Sequence, residues 1–398
     1  MDKIIDLIKA YSSEFLEEVR AIRRHFHENP ELSWEEYQTA EFICQKLDEC
    51  KIPYTKGVSG TGVVGLIEGK NPHGRNIALR ADMDALPVNE ENDVVYKSKI
   101  ADKMHACGHD VHMACLLGAA KILDKLKDQF EGSIKLIFQP SEETYPGGAI
   151  GMIHEGVLKN PDTVNVIGQH VINTLDAGKV GMRPGPYMAS TDEVFLTVRG
   201  KGGHAATPDQ VIDPILIASH IIIALQQIVS RKANPLVPTV ISFGRIIGAG
   251  RTNIIPDEVK ISGTIRTYDE SWRKTIHAVI TKMASSIAES MDGSCDVRIG
   301  HGYPFLHNDE DLTAKIRGIA TEYLGENNVV ELEPRMTAED FSYFALEVPS
   351  CLYRLGIRNE ENGIRSNLHS STFDVDESCL ETGMGLMAFV AVQILSSK

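Results

Sequence analysis

The chain has 398 residues, 42% hydrophobic and 24% charged, a globular composition long enough for about two or three domains. Its formal net charge of -15 argues against nonspecific binding to nucleic acid or to an anionic membrane, although a local pocket can still take an anionic small molecule. Seven cysteines, at 44, 50, 107, 115, 295, 351 and 379, are odd in number and scattered, with no CxxC pair, which favours a reduced cytoplasmic protein over a disulfide scaffold.

The first residues, MDKIIDLIKAYSSEFLEEVRAIRRHF, carry acids from the second position and read as a helix rather than a signal peptide. An amphipathic helix is expected over 3–27, with Ile4, Ile5, Ile8, Phe15, Val19 and Ile22 on its apolar stripe. It ends in Arg23-Arg24-His25-Phe26-His27-Glu28-Asn29-Pro30, whose histidines could ligate a metal or simply cap and support. A second helix covers 35–48. No apolar run approaches the roughly eighteen residues of a membrane span. Strands follow at 62–68 and 76–80, and the second runs into Arg80-Ala81-Asp82-Met83-Asp84. Acids just past a strand's carboxyl end lie where open α/β sheets put their sites, but a solvated turn also uses Asp.

The densest stretch is Met104-His105-Ala106-Cys107-Gly108-His109-Asp110-Val111-His112. Thiolate, imidazole and carboxylate together suit a transition metal, and the thiolate favours zinc or a neighbouring divalent ion over magnesium or calcium. Cys107 and His109 are two apart and would not share a face of a straight helix. They are expected where a loop enters a helix, which the periodicity places at 113–126. The alternative is a reduced cysteine beside surface histidines. Next, an apolar strand from Ser133 ends in Pro140-Ser141-Glu142-Glu143. Consecutive extended residues point to opposite sides, so one carboxylate could bind metal while its neighbour acts as general base. Two exposed loop acids would look the same. A strand over 164–168 delivers Gln169-His170-Val171, where a satisfied core histidine is the alternative. His369 lies in Leu368-His369-Ser370-Ser371-Thr372, before a helix over about 377–395. Cys107, His109, Glu143, His170 and His369 thus all fall at strand ends or loops of one α/β pattern. Five ligands exceed one tetrahedral site, so two ions sharing ligands are expected.

Over 182–303 the pattern changes to strand 193–199, helix 214–230, strands 239–244 and 259–267, helix 270–291 and strand 296–300. This βαββαβ order is the ferredoxin-like arrangement. It interrupts the larger domain, which is therefore discontinuous, 1–181 with 304–398. In the insert, Arg199-Gly200-Lys201-Gly202-Gly203-His204 suggests a tight loop presenting His204. Asn253 lies in a second glycine-bearing loop, and Arg266 ends a strand. Both suit a carboxylate or an oxyanion, although surface loops contain such residues routinely.

Together, MHACGHDVH, PSEE, GQHV, KGGHAATP, RTNIIPD and LHSSTFDVDE, with RRHFHENPELSWEE near the start, resemble one family. It is the co-catalytic metallo-amidohydrolase and metallopeptidase family of aminoacylases, hippurate hydrolases, plant auxin-conjugate hydrolases and carboxypeptidases. The resemblance implies an α/β fold: a mixed-sheet catalytic domain of aminopeptidase-like type, with the inserted ferredoxin-like domain serving as dimerisation domain and lid. It implies two divalent ions (Zn, Mn, Co or Ni) on Cys107, His109, Glu143, His170 and His369, with Cys107 bridging and Glu142 as general base. His204 would contact the substrate carbonyl across a homodimer, and Asn253 and Arg266 would bind substrate. Asp84 would support the ligands, and Glu339 matches a motif lining the site. Other branches carry a His-x-Asp ligand motif where this chain reads Asp82-Met83-Asp84, so Asp82 is not taken as a ligand. The expected reaction is hydrolysis of the amide bond of an N-acyl-L-amino acid, a small-molecule substrate. Dipeptidase or carboxypeptidase activity and N-acetyl-diaminopimelate deacetylation are the alternatives within that chemistry. A noncatalytic metal-containing binding protein and a redox role for Cys107 are the alternatives outside it.

Overall fold

A computed structural model describes residues 2–396. The chain divides into two compact units, Met1–Tyr187 with His307–Glu333 and Asp340–Lys398, and Met188–Leu306 with Pro334–Glu339.

The first unit is built on an eight-stranded mixed sheet. Its centre is parallel: Ser133–Gln139, Asn76–Asp82, Thr163–Asp176 and Ser350–Arg358 lie side by side in that order. Tyr54–Val58 and Gly62–Glu68 extend one edge antiparallel, while Val180–Met182 and Val329–Glu331 extend the other. Asn76–Asp82 and Ser133–Gln139 are buried at every position, as parallel strands covered on both faces must be. The helices Asp2–Glu28, His109–Lys125 and Cys379–Ser396 pack on one another. They converge at Gly118, where a Cβ would stand 2.8 Å from Met384 Sδ and 2.9 Å from Val19 Cγ2. Cys379–Ser396 has the length and apolarity of a membrane span, yet most of it is buried in this core.

The second unit has its own core. Its antiparallel sheet has the order Thr239–Ile247, Glu258–Thr267, Asp192–Arg199, Ser294–His301. Val194, Leu196 and Val198 are buried in alternation and share a core with Ile217, Ile221 and Leu225 of helix Pro214–Gln227 and Ile276 and Ile280 of helix Glu270–Glu289. Asp213 and Asp269 cap these helices by accepting from backbone N–H groups of the first turn. The element order is βαββαβ.

Three departures from expectation bear on the candidate site. The helix starts at His109, four residues early, because Gly108 takes a left-handed turn (φ 85°) and serves as its N-cap. The strand placed at 164–168 runs to Asp176, so His170 is mid-strand rather than at an end. Pairing with Ser350–Arg358, in which Arg354 faces His170, carries the strand on. Ser350–Arg358 itself was not expected.

Candidate metal centre

The carboxyl ends of the parallel strands and the start of helix His109–Lys125 deliver the chemistry of the first unit. Cys107 sits on the last loop turn before Gly108. Its sulfur is 3.6 Å from His170 Nε2 and 3.3 Å from His369 Nε2. The ligand atoms of Cys107, His109 and His170 all lie within 4.8 Å of one another, and so do those of Cys107, Glu143 and His369. Two three-donor sets therefore share one sulfur. Glu143 Oε1 lies 3.2 Å from His369 Nε2 and 3.9 Å from His109 Nε2, and Glu142 Oε2 lies 4.0 Å from His109 Nε2.

The histidines are oriented by what their other nitrogens do. His109 Nδ1 donates to the Asp84 carbonyl at 2.8 Å, and His170 Nδ1 to the Val171 carbonyl at 2.8 Å. Each then turns Nε2 toward the sulfur, the arrangement in which an imidazole with one N–H held elsewhere ligates a metal. His109 Nε2 is buried and makes no hydrogen bond. His112 is different. Its Nε2 accepts from Val171 N at 2.8 Å, so its Nδ1 proton goes to Asp82 at 2.5 Å, and both nitrogens are satisfied. Asp82 is also claimed by Arg80 Nη1 at 2.6 Å. His105 is buried, and burial pushes it down to about 3, so it is neutral.

The electrostatics suit a cation. Burial, followed by the neighbouring Glu143 and Glu142, pushes the Cys107 thiol well above its usual range. Burial works against a charged His109, but Asp82 and Asp84 outweigh it and hold the imidazole up to about 10. Burial, then Arg354, keeps His170 well below its usual range and neutral. Thiolate, imidazole and carboxylate donors crowded around an orphan nitrogen fit a divalent-metal centre.

Asp84 is the brace of this arrangement. One of its oxygens accepts from Glu142 N at 2.9 Å, the other from Glu143 N at 3.0 Å and Ser33 Oγ at 2.6 Å. Burial opposes its charge, but the His109 imidazole 3.4 Å from Oδ1 and the bond from Ser33 hold the carboxyl below its ordinary value. Ser141 and His369 both adopt left-handed backbone (φ 47° and 64°), conformations that persist in ordinary residues only when the surroundings dictate them.

The remaining candidates lie in the second unit. His204 is exposed on the short strand Gly203–His204, which pairs with Ile254–Ile255. Ala205 N donates to the Asn253 carbonyl at 3.1 Å, so His204 and Asn253 are neighbours. Arg266 lies on the strand Glu258–Thr267, facing Val240. Glu339 is buried in this unit. Asp192, His277 and His301 also cluster there, but Arg273 takes both Asp192 oxygens and His277 Nε2 bonds one of them at 2.6 Å, which makes the group an anchor for the helix.

Sequence reasoning missed Glu36, which is fully buried and accepts from Ser141 N at 2.8 Å and from Thr61 Oγ1 at 2.7 Å. It also missed the Arg80–Asp82–His112 chain. A glutamate just ahead of a helix is locally indistinguishable from an exposed one.

The sequence of the Peptidase family M20/M25/M40 model matches residues 78–393. The chain is 41% identical over 393 residues to thermostable carboxypeptidase 2 of Saccharolobus solfataricus, covering 98% of each chain. It is 42% identical over 304 residues to N-acyl-L-amino acid amidohydrolase of Geobacillus stearothermophilus, covering 76% of this chain and 81% of that one. Among solved structures, it is similar to a dinuclear metal-binding M20 peptidase of Bacillus subtilis, with TM-score 0.81, 30% identity, and coverage of 97% of this chain and 100% of the other. A match that spans both units and embraces every donor around Cys107 makes this chain a hydrolase of the Peptidase family M20/M25/M40.

Proposed function

We propose that the chain hydrolyses the amide bond of N-acyl-L-amino acids at a centre of two divalent ions. The observation that carries this reading is the shared sulfur, with the sets Cys107–His109–His170 and Cys107–Glu143–His369 meeting at one atom. Cys107, common to both sets, would hold both ions together with His109, His170, Glu143 and His369, and Zn, Mn, Co and Ni all accept this mixed donor set. When bound, the ions supply Lewis acidity and bring the pKa of a water toward neutrality. Glu142 takes the proton of the attacking water and passes it to the departing amine. Asp84 keeps both glutamates in place through their backbone N–H groups. His204 contacts the carbonyl oxygen of a substrate held by a second copy of the chain, and Asn253 and Arg266 contact the substrate's carbonyl or carboxylate. The helix Pro214–Gln227 supports a dimer, because Ile215, Leu216 and Ile223 on it are 40%, 50% and 72% exposed and a second copy would cover them.

The test is amino-acid release from a panel of N-acetyl, N-benzoyl and dipeptide substrates, with chelated protein and with protein resupplied with Mn or Zn. Metal-dependent release from the acylated substrates is expected. Preferential release from dipeptides would favour a second reading, a peptidase, which the likeness to the Saccharolobus carboxypeptidase supports. Glu142 also lies within 4.8 Å of His109 and Glu143, so it could instead be a ligand. Glu142→Gln should abolish turnover and leave the bound metal unchanged. Loss of metal would make Glu142 a ligand, and surviving turnover would remove it as the base.

A further inference from the structure

The stretch RRHFHENPELSWEE supplies no donor to the metal centre, yet its side chains reach the segments that carry Glu143 and His369 and the helix that begins at His109. Arg24 clamps Glu377 with both arms of its guanidinium, Nε to Oε1 at 2.9 Å and Nη2 to Oε2 at 2.6 Å. Arg23, fully buried, reaches Glu377 at 3.4 Å, Asp374 at 3.6 Å and Asp110 at 2.8 Å. Both guanidinium groups lie on the ring of Tyr96, 4.8 and 4.7 Å from its centroid, and Tyr96 in turn donates its hydroxyl to Asp374 at 3.0 Å. Asp374 and Glu377 sit on the segment that begins with His369, whose own anchor is a bond from its N–H to the Ala106 carbonyl at 2.8 Å. The imidazole of His369 is half exposed and its backbone is left-handed, so its position is set by how this segment is held. At the other end of the stretch, Ser33 bonds Asp84 and Glu36 receives the N–H of Ser141, the strained residue from which Glu142 and Glu143 project.

We propose that residues 23–36 are the positioning element of the metal centre: Arg24, with Arg23 and Tyr96, sets His369 through Glu377 and Asp374, while Glu36 sets Glu142 and Glu143 through Ser141. The inference rests on the ligand assignment proposed above. It assigns a cause to each half of the centre. The set Cys107–His109–His170 stands on a helix start and a central strand, and Arg24 and Glu36 do not touch it; the stretch meets it only through Arg23 and His27 on Asp110 and Ser33 on Asp84. The set Cys107–Glu143–His369 depends on this stretch from both sides.

The two halves can be separated by measurement. Full-length protein is loaded with cobalt, and chelator is titrated in while the Cys107 thiolate-to-cobalt absorption and the cobalt content are followed. Arg24 is partly exposed, so Arg24→Ala leaves the core unaltered. It should weaken one of the two ions about tenfold, the scale on which residues supporting ligands act, and leave the other at its original affinity. Arg24→Lys restores the charge without the paired geometry and should recover only part of the loss. Glu36→Ala should weaken the same ion, and Glu36→Gln, which keeps an oxygen for Ser141 N, should largely restore it. Unchanged affinity for both ions in Arg24→Ala and Glu36→Ala overturns the proposal. So does equal weakening of both ions, which a general loss of stability would give. A parent protein that holds fewer than two cobalt ions, or that shows no thiolate absorption, overturns instead the ligand assignment on which the proposal rests.

Discussion

Asp84→Asn isolates the brace of the centre with almost no change of shape. Asp84 is 1% exposed and accepts from three donors, two of them backbone N–H groups on opposite oxygens. Asparagine keeps one oxygen. If that oxygen stays with Glu143 N and Ser33, the new NH2 group faces the N–H of Glu142, and one charge-assisted bond becomes a donor–donor contact. A hydrogen bond to a charged group contributes about 1.5–3 kcal/mol, and an orphaned buried N–H costs a similar amount. Relief from burying a carboxylate offsets part of this, so the net loss is about 2 kcal/mol. The same change frees the glutamate backbone and lowers the negative field at His109, which should weaken metal binding about 10- to 100-fold. Thermal unfolding of the chelated proteins reads the first effect, and competition with a chromophoric chelator reads the second. An Asp84→Asn protein that is less stable but binds metal as tightly as its parent would refute the coupling of this carboxylate to the centre.

Two further outcomes follow from the packing and the charges. Gly108 has φ 85°, and a Cβ there would meet Val171 Cγ2 at 2.5 Å, so Gly108→Ala combines left-handed strain with overpacking. It should destabilise by about 2–4 kcal/mol, and denaturant unfolding with an unshifted midpoint would contradict this account. In the second unit, burial pushes the Asp192 carboxyl up, but its bonds from Arg273 and His277 prevail and leave it well below the usual range. Because the folded value is depressed, its stabilisation is full above the unfolded carboxylate value of about 3.9 and is lost as pH falls below it. Asp192→Asn should lower stability at neutral pH and flatten the fall between about pH 5 and 2. An acid limb as steep as that of the parent would exclude this carboxylate as its source.

Much of the architecture was legible because local pattern and burial agreed. The apolar run before Pro140 reads as a buried strand, and the spacing of Cys107 and His109 calls for a break that Gly108 provides. The strand Ser350–Arg358 was not legible. It carries Tyr353, Arg354 and Gly356, and its place in the sheet is conferred by Thr163–Asp176, a partner far away in sequence. Glu36 was hidden for the same reason, since its partner Ser141 lies 105 residues on. Local periodicity reports which face of an element is apolar, but it does not report which distant backbone group a carboxylate will hold.

The position of the helix Cys379–Ser396 has a consequence for how the molecule is made. It lies at the heart of the first unit, against helices that begin at Asp2 and His109, and the strand Ser350–Arg358 completes the middle of the sheet. A chain emerging from the ribosome therefore carries its first half unfinished until Ser350–Arg358 and Cys379–Ser396 arrive, with the apolar faces of Thr163–Asp176 and His109–Lys125 waiting for partners. The second unit, whose sheet and helices all fall between Asp192 and His301, can close during that interval. Folding on the ribosome would then begin in the second unit, and the first unit would close around its candidate centre only after His369 and Cys379–Ser396 have both emerged.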